Sequence, residues 1–223
     1  MRHFSLPAPR PVLWPLRPVA SADVTDEIAR DGRRIITVRH AELEGVTPEM
    51  VFWWYGHITG DMRYAGAIWP RYLVWHPLDH IAFQVVRAGP DGRIGPGARM
   101  HILEAFQRDP RNLLDITVEA ERFEANTAVM HKQVAGTRIM RLTNEFRAAP
   151  RGTMYVTRME IGASGLAAAL GMNAVVRRGI LGGAKAHAWA RHHVEEIGNL
   201  THFLPELWAS ETGLARASSV ARH

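Results

Sequence analysis

The sequence predicts an α+β domain in which a curved antiparallel sheet wraps one long C-terminal helix. Three features predict it. Strand-like segments follow one another over residues 81–161 with short turns between them, the spacing of antiparallel pairing. Residues 187–196 contain no Pro or Gly and are rich in Ala, Arg and Glu, the centre of a helix over 184–204 that Pro205 should stop. One strand and one helix precede the sheet. At 223 residues and 47% hydrophobic, the chain is long and apolar enough to bury one domain-sized core.

In order, residues 1–22 carry Pro7, Pro9, Pro11, Pro15 and Pro18 and read as an extended arm, ordered only if it packs on something. The domain proper spans 23–208, and 209–223 reads as a flexible tail. Residues 34–40 alternate with β-branched side chains, a first strand. Thr47-Pro48-Glu49 is a helix start, with Thr as N-cap and Pro in the first turn. Four of the seven Trp lie between 53 and 75, either packing the core or walling a pocket. Pro77 fixes a turn, and an apolar strand follows over 81–87. A Gly- and Pro-rich turn leads to a strand over 99–106, and four more occupy 113–123, 125–134, 137–148 and 153–161. This element order is that of a helix grip, with a cavity between sheet and helix. Residues 162–183 hold six Gly and the pair Arg177-Arg178, which argues against a spanning helix and suits a cap or insertion over a pocket.

Composition narrows the function. There is no Cys, so any metal site must use His, Asp, Glu or water. The net charge is +5, but of 27 basic residues only Lys132 and Lys185 are lysine and the Arg are scattered. No basic block marks a nucleic-acid surface. The N-terminus has no apolar run of signal-peptide type, and a soluble cytoplasmic protein is expected, bound to neither nucleic acid nor membrane.

Two local anomalies point to chemistry. On the last helix, His192 and Glu196 are four residues apart and share a face, where they either form a surface ion pair or supply two metal ligands. On the strand 99–106, Ile102, Glu104 and Phe106 share a face. If that face is inward, a carboxylate lies between two large apolar groups and needs a cation; otherwise it is an exposed edge. A helix grip could bring His80, Glu104, His192 and Glu196 together. Four N/O ligands without Cys suit Zn²⁺, with Fe²⁺, Mn²⁺ or Co²⁺ compatible by ligand type.

Tyr72-x-x-Trp75-His76-Pro77-x-x-His80, Glu104 in its strand, and His192-x-x-x-Glu196 together resemble the diacetylphloroglucinol hydrolase and phloretin hydrolase family over residues 45–210. The resemblance implies a Bet v 1-like helix-grip fold and a zinc held by His80, Glu104, His192 and Glu196, with His76 as the rival ligand. It implies hydrolysis of the carbon–carbon bond between an acyl group and a polyhydroxylated aromatic ring, and hence a small aromatic acyl substrate. Tyr72 would hold a substrate oxygen, Tyr155 would add a donor to a developing oxyanion, and His76 would support the ligands or move a proton. Asn144 stands before Glu145-Phe146 where the family would place a His. The chain is shorter than the family's hydrolases, and a homodimer is left open. Two other readings share the scaffold: a metal-free carrier of hydrophobic ligands, and another metalloenzyme such as a hydratase, cyclase or oxygenase.

Overall fold

The computed structural model describes residues 5–165, 168 and 171–213. Its strands are β1 (Asp23–Ile28), β2 (Arg34–Arg39), β3 (Leu43–Glu44), β4 (Asp61–Tyr64), β5 (Ala67–Pro70), β6 (His80–Arg87), β7 (Arg99–Ala105), β8 (Leu113–Glu124), β9 (Thr127–Val134), β10 (Thr137–Ala149) and β11 (Gly152–Ile161). The helices are α1 (Pro48–His57), α2 (Arg71–Trp75), α3 (Met172–Leu181) and α4 (Ala184–Thr212). The large sheet runs β1-β2-β11-β10-β9-β8-β7-β6, with β3 paired to β11 and β4–β5 a separate hairpin. Every pairing is antiparallel. This is the α+β helix grip expected from the sequence.

Local chemistry explains the main elements. Thr47 accepts a hydrogen bond from the Met50 N–H, capping α1 ahead of Pro48. Gly152 begins β11 where the Leu43 carbonyl passes so close that a Cβ would lie 2.0 Å from its oxygen, so β3 can join the sheet only beside a glycine. The concave face of the sheet and the first half of α4 bury Ile36, Met100, Met159, Trp189 and Val194. A second cluster joins α1 and α2 to the second half of α4 through Trp54, Trp75, Leu200 and Phe203. The Trp cluster therefore does both things considered for it: Trp54 is wholly buried core, while Trp75 also lines the cavity.

Four expectations are corrected. α4 does not stop at Pro205 but continues to Thr212 with the proline inside it. An interior proline costs about 3 kcal/mol. Beyond it, Leu207 packs against the core cluster and Glu211 pairs with the buried Arg71 at 2.7 Å, which holds the last turns in place. Part of the expected tail, 209–212, is thus helical, and 214–223 lies outside the described residues. β1 and the β4–β5 hairpin arise in stretches that carried no expected strand. Finally, the described part of 162–183 is not a cap, since none of its residues lines the cavity. α3 is tied to the end of the sheet instead, where Asn173 bonds Ala163 and the Asp31 carbonyl. The rest of that stretch (166, 167, 169 and 170) lies outside the described residues.

The N-terminal arm is packed, which the sequence left conditional. Arg10 is buried and donates to the carbonyls of Pro77 at 3.2 Å and His80 at 2.6 Å. Trp14 stacks on His202 and Phe203. Among the described residues, no helix is long and apolar enough to cross a membrane.

Candidate metal centre

The four residues proposed as ligands meet in the interior, and the fold explains how. His80 opens β6 and is the register partner of Glu104 on β7. His192 and Glu196 descend from α4 onto that pair. All four are nearly inaccessible: His80 0%, His192 1%, Glu196 6% and Glu104 8% exposed. The inward alternative for Glu104 is therefore the one realised.

His80 Nε2 lies 3.4 Å from both Glu104 Oε1 and Glu196 Oε2. His192 Nε2 lies 3.8 Å from Glu104 Oε2 and from Glu196 Oε2. The 3.8 Å contacts are too long for hydrogen bonds, and His80 Nε2, at the outer limit, has no hydrogen-bond partner among the described residues. Donor atoms about 2.0–2.1 Å from a tetrahedral ion lie about 3.3 Å from one another. The two 3.4 Å gaps match that spacing, and the two 3.8 Å gaps are wider than it. His80, Glu104 and His192 offer atoms all within 4.8 Å of one another. Glu196 completes the ring from α4 by facing the two imidazoles rather than Glu104.

The groups behind each imidazole orient it. His80 Nδ1 lies 2.6 Å from the Tyr72 carbonyl, and His192 Nδ1 lies 3.1 Å from Asp79 Oδ2. Both Nδ1 atoms must carry the proton to donate there, which leaves each Nε2 lone pair facing the gap. Asp79 is the hub of this arrangement. Its carboxylate also accepts from the backbone N–H groups of Gln107 and Arg108. Those two residues hold φ of 57° and 54°, a left-handed turn just after the strand that carries Glu104. Burial alone would raise the Asp79 carboxyl, but the His192 hydrogen bond and the charges of His76 and His192 bring it down to about 2. Burial would likewise lower His192, yet Asp79, Glu104 and Glu196 hold it up at about 9. Without an ion, a proton on His192 supplies the positive charge that two buried carboxylates require.

The sequence's other candidates fall into different places. His76, the rival ligand, groups with Asp79 and His192 as a second set whose donor atoms all lie within 4.8 Å of one another. Its Nδ1 accepts from the Asp79 N–H and its Nε2 meets Glu195 Oε2 at 3.1 Å, so both nitrogens are used. It stacks on His192 with ring centroids 4.5 Å apart and does not line the cavity. Tyr72 donates to Glu104 Oε1 and stacks on His80 with ring centroids 3.9 Å apart. Burial, followed by the Glu104 charge, holds its phenol far above the ordinary value, so it remains a donor. Tyr155 does not line the cavity either; its hydroxyl bonds that of Tyr55, which does. Asn144 lines the cavity and donates to Tyr55 at 3.2 Å.

Tyr55, Thr157 and His193 are the residues sequence reading missed. Thr157 donates to Asn144 Oδ1 at 2.9 Å and contacts His193 Nε2 at 2.5 Å, while His193 Nδ1 holds Glu196 Oε1. A continuous buried chain thus links Tyr155, Tyr55, Asn144, Thr157, His193 and Glu196. The only signal available was the spacing His193-x-x-Glu196, which competes with His192-x-x-x-Glu196 for the same carboxylate. Beside these groups lies a partly open cavity of about 100 Å³, walled largely by apolar and aromatic side chains.

No family model matches the chain, and no curated protein is significantly similar to it. Among solved structures, a START superfamily protein from Mycobacterium smegmatis aligns with TM-score 0.47 and 10% identity, covering 77% of this chain and 98% of its own. A protein from Rhodobacter sphaeroides aligns with TM-score 0.46 and 13% identity over 83% and 99% of the two chains. Ara h 8.0201 aligns with TM-score 0.40 and 11% identity over 81% and 99%. At these scores the fold rests on the sheet and helix described above, and the alignments add no function.

Proposed function

We propose that the protein is a metal-dependent hydrolase that splits the carbon–carbon bond between an acyl group and a polyhydroxylated aromatic ring. The observation that carries the metal is the partnerless His80 Nε2, aimed with His192 Nε2 at two buried carboxylates across gaps of 3.4 to 3.8 Å. The choice of reaction draws on the resemblance of the Tyr72–His80 segment, Glu104 and His192-x-x-x-Glu196 to acylphloroglucinol-cleaving hydrolases. Zinc suits the two-His, two-Glu donor set. When bound, the ion would supply Lewis acidity toward an acyl or phenol oxygen.

The chain's own residues do the rest. Tyr72, kept as a phenol, sits against Glu104 and turns its O–H to a substrate oxygen once that carboxylate is engaged. Asn144 donates to the Tyr55 hydroxyl, and if Tyr155 donates there too, the Tyr55 O–H can reach a second oxygen in the cavity. Overall, water adds across the acyl–ring bond: the acyl carbon takes OH and leaves as a carboxylic acid, and the ring carbon takes H. The ring carbon takes its H first, as the ring passes to its keto tautomer, so the electron pair of the broken bond falls into an enolate whose oxygen is then protonated to restore the phenol.

Protein purified without a histidine tag should hold about one zinc per chain by elemental analysis, and should release free acid and deacylated phenol from acylphloroglucinols. Zinc without product would leave another metal-dependent reaction on the same site. A second reading, a metal-free carrier, is favoured by the apolarity of the cavity. It requires tight ligand binding with no zinc at any stage of purification.

A further inference from the structure

The cavity wall changes character along α4. Glu196, His193 and His192 line it at one end, and Trp189, seven residues before Glu196, lines it at the other. At 1.5 Å per residue that is about 10 Å of helix. Opposite, alternate residues of the strands face inward: on β7, Glu104 gives way to Ile102 and then Met100, and on β10, Asn144 gives way to Leu142 and then Met140. Trp189 packs in one apolar cluster with Met100, Val118, Met140 and Met159. None of these four side chains offers a strong hydrogen bond, so a hydroxyl or carboxylate placed among them would go unpaired. Methionine's unbranched thioether instead yields to a flexible chain.

We infer that the substrate is an amphiphile whose acyl group is a medium-length aliphatic chain, laid along α4 from the His/Glu centre to Trp189 over the methionine floor. An acetyl group, or an acyl chain ending in a polar ring, leaves that floor unused. The inference rests on the reading of the site given above, and refines its substrate.

Calorimetric binding of acetyl-, butanoyl- and octanoyl-phloroglucinol to the full chain, zinc-free and zinc-loaded, tests it. Each added methylene should tighten binding about fourfold, so that octanoyl exceeds acetyl by more than a hundredfold. Acetyl and octanoyl binding within threefold of each other overturns it. Val118→Phe, which narrows the floor, should cut the octanoyl-to-acetyl preference at least tenfold; equal loss for both ligands counts against the inference. If that variant does not fold, the wild-type series alone decides. Zinc content measured on the same preparations separates the two claims. A steep series in protein that takes up no zinc keeps the tail and removes the metal-dependent hydrolase. One zinc per chain with a flat series does the reverse.

Discussion

Two His–carboxylate clusters lie back to back inside this protein, and they differ in make-up and in closure. The rear cluster, His76, Asp79, Glu195 and Arg191, is closed: His76 meets Glu195 at 3.1 Å and Arg191 meets it at 2.8 Å, while Asp79 accepts from two backbone N–H groups. The front cluster, His80, Glu104, His192 and Glu196, has no arginine and is wholly buried, and its facing atoms stand 3.4 to 3.8 Å apart. Buried polar groups normally complete their hydrogen bonds. One cluster does so and serves as scaffold. The other keeps an opening between opposite charges, where a ligand atom rather than a side chain belongs.

Several substitutions would break or sharpen that contrast. The largest effect is expected from Asp79→Asn, which opens the closed side: folding stability should fall by about 3 kcal/mol or more in denaturant titrations. Zinc affinity should drop only tenfold to a hundredfold, because the ligands themselves remain. Glu104→Gln acts on the open side and should do the opposite. Zinc affinity falls by on the order of a hundredfold or more, while the zinc-free protein is as stable as wild type or more so, having one buried charge fewer. Full zinc retention in Glu104→Gln would remove Glu104 from the ligand set. Zinc at a hundred times its dissociation constant should stabilise the wild type by about 2.7 kcal/mol, and the same addition should stabilise Glu104→Gln by about 0.4 kcal/mol or less. Glu195→Gln, back in the closed cluster, should cost about 1 kcal/mol with zinc stoichiometry unchanged.

The smallest expected effect is a pH dependence that neither cluster supplies. Buried His40 is held well below its ordinary value of 6.5 by burial first, then by the nearby His193 and Arg17, with Glu196 opposing and Tyr155 packed edge-on against the ring. The unfolded chain therefore binds this proton more readily than the folded one, so stability is complete above pH 6.5 and is lost on acidification below it. The slope contributed is at most about 1.4 kcal/mol per pH unit. Urea midpoints at three pH values should show it, and His40→Phe should flatten that limb.

The grip itself was legible because strand alternation and a gap-free helix are local signals. The Thr47 cap and the strands from His80 onward fall almost where the pattern puts them. What failed was local too: Pro205 is a helix stop only when nothing packs beyond it, and here Leu207 packs on the core and Glu211 pairs with Arg71. In the site, His80, Glu104, His192 and Glu196 converge as the topology suggested. His76 and His80 could not be told apart by spacing, because the choice lies in which nitrogen the Asp79 backbone and the Tyr72 carbonyl claim. Tyr55, Thr157 and His193 carry no motif, and only the register of Asn144 with Thr157 across β10 and β11 brings them together.

The arm preceding the first strand has one more bearing on all this. Arg10 grips the backbone oxygens on either side of the turn that presents His80, from outside the sheet and the helix alike. Trimming the chain to its tidy folded body would cut that tether and let the imidazole drift. A shortened version is expected to keep its spectrum and melting behaviour yet take up added zinc less tightly, and a zinc titration, not foldedness, would reveal what had been thrown away.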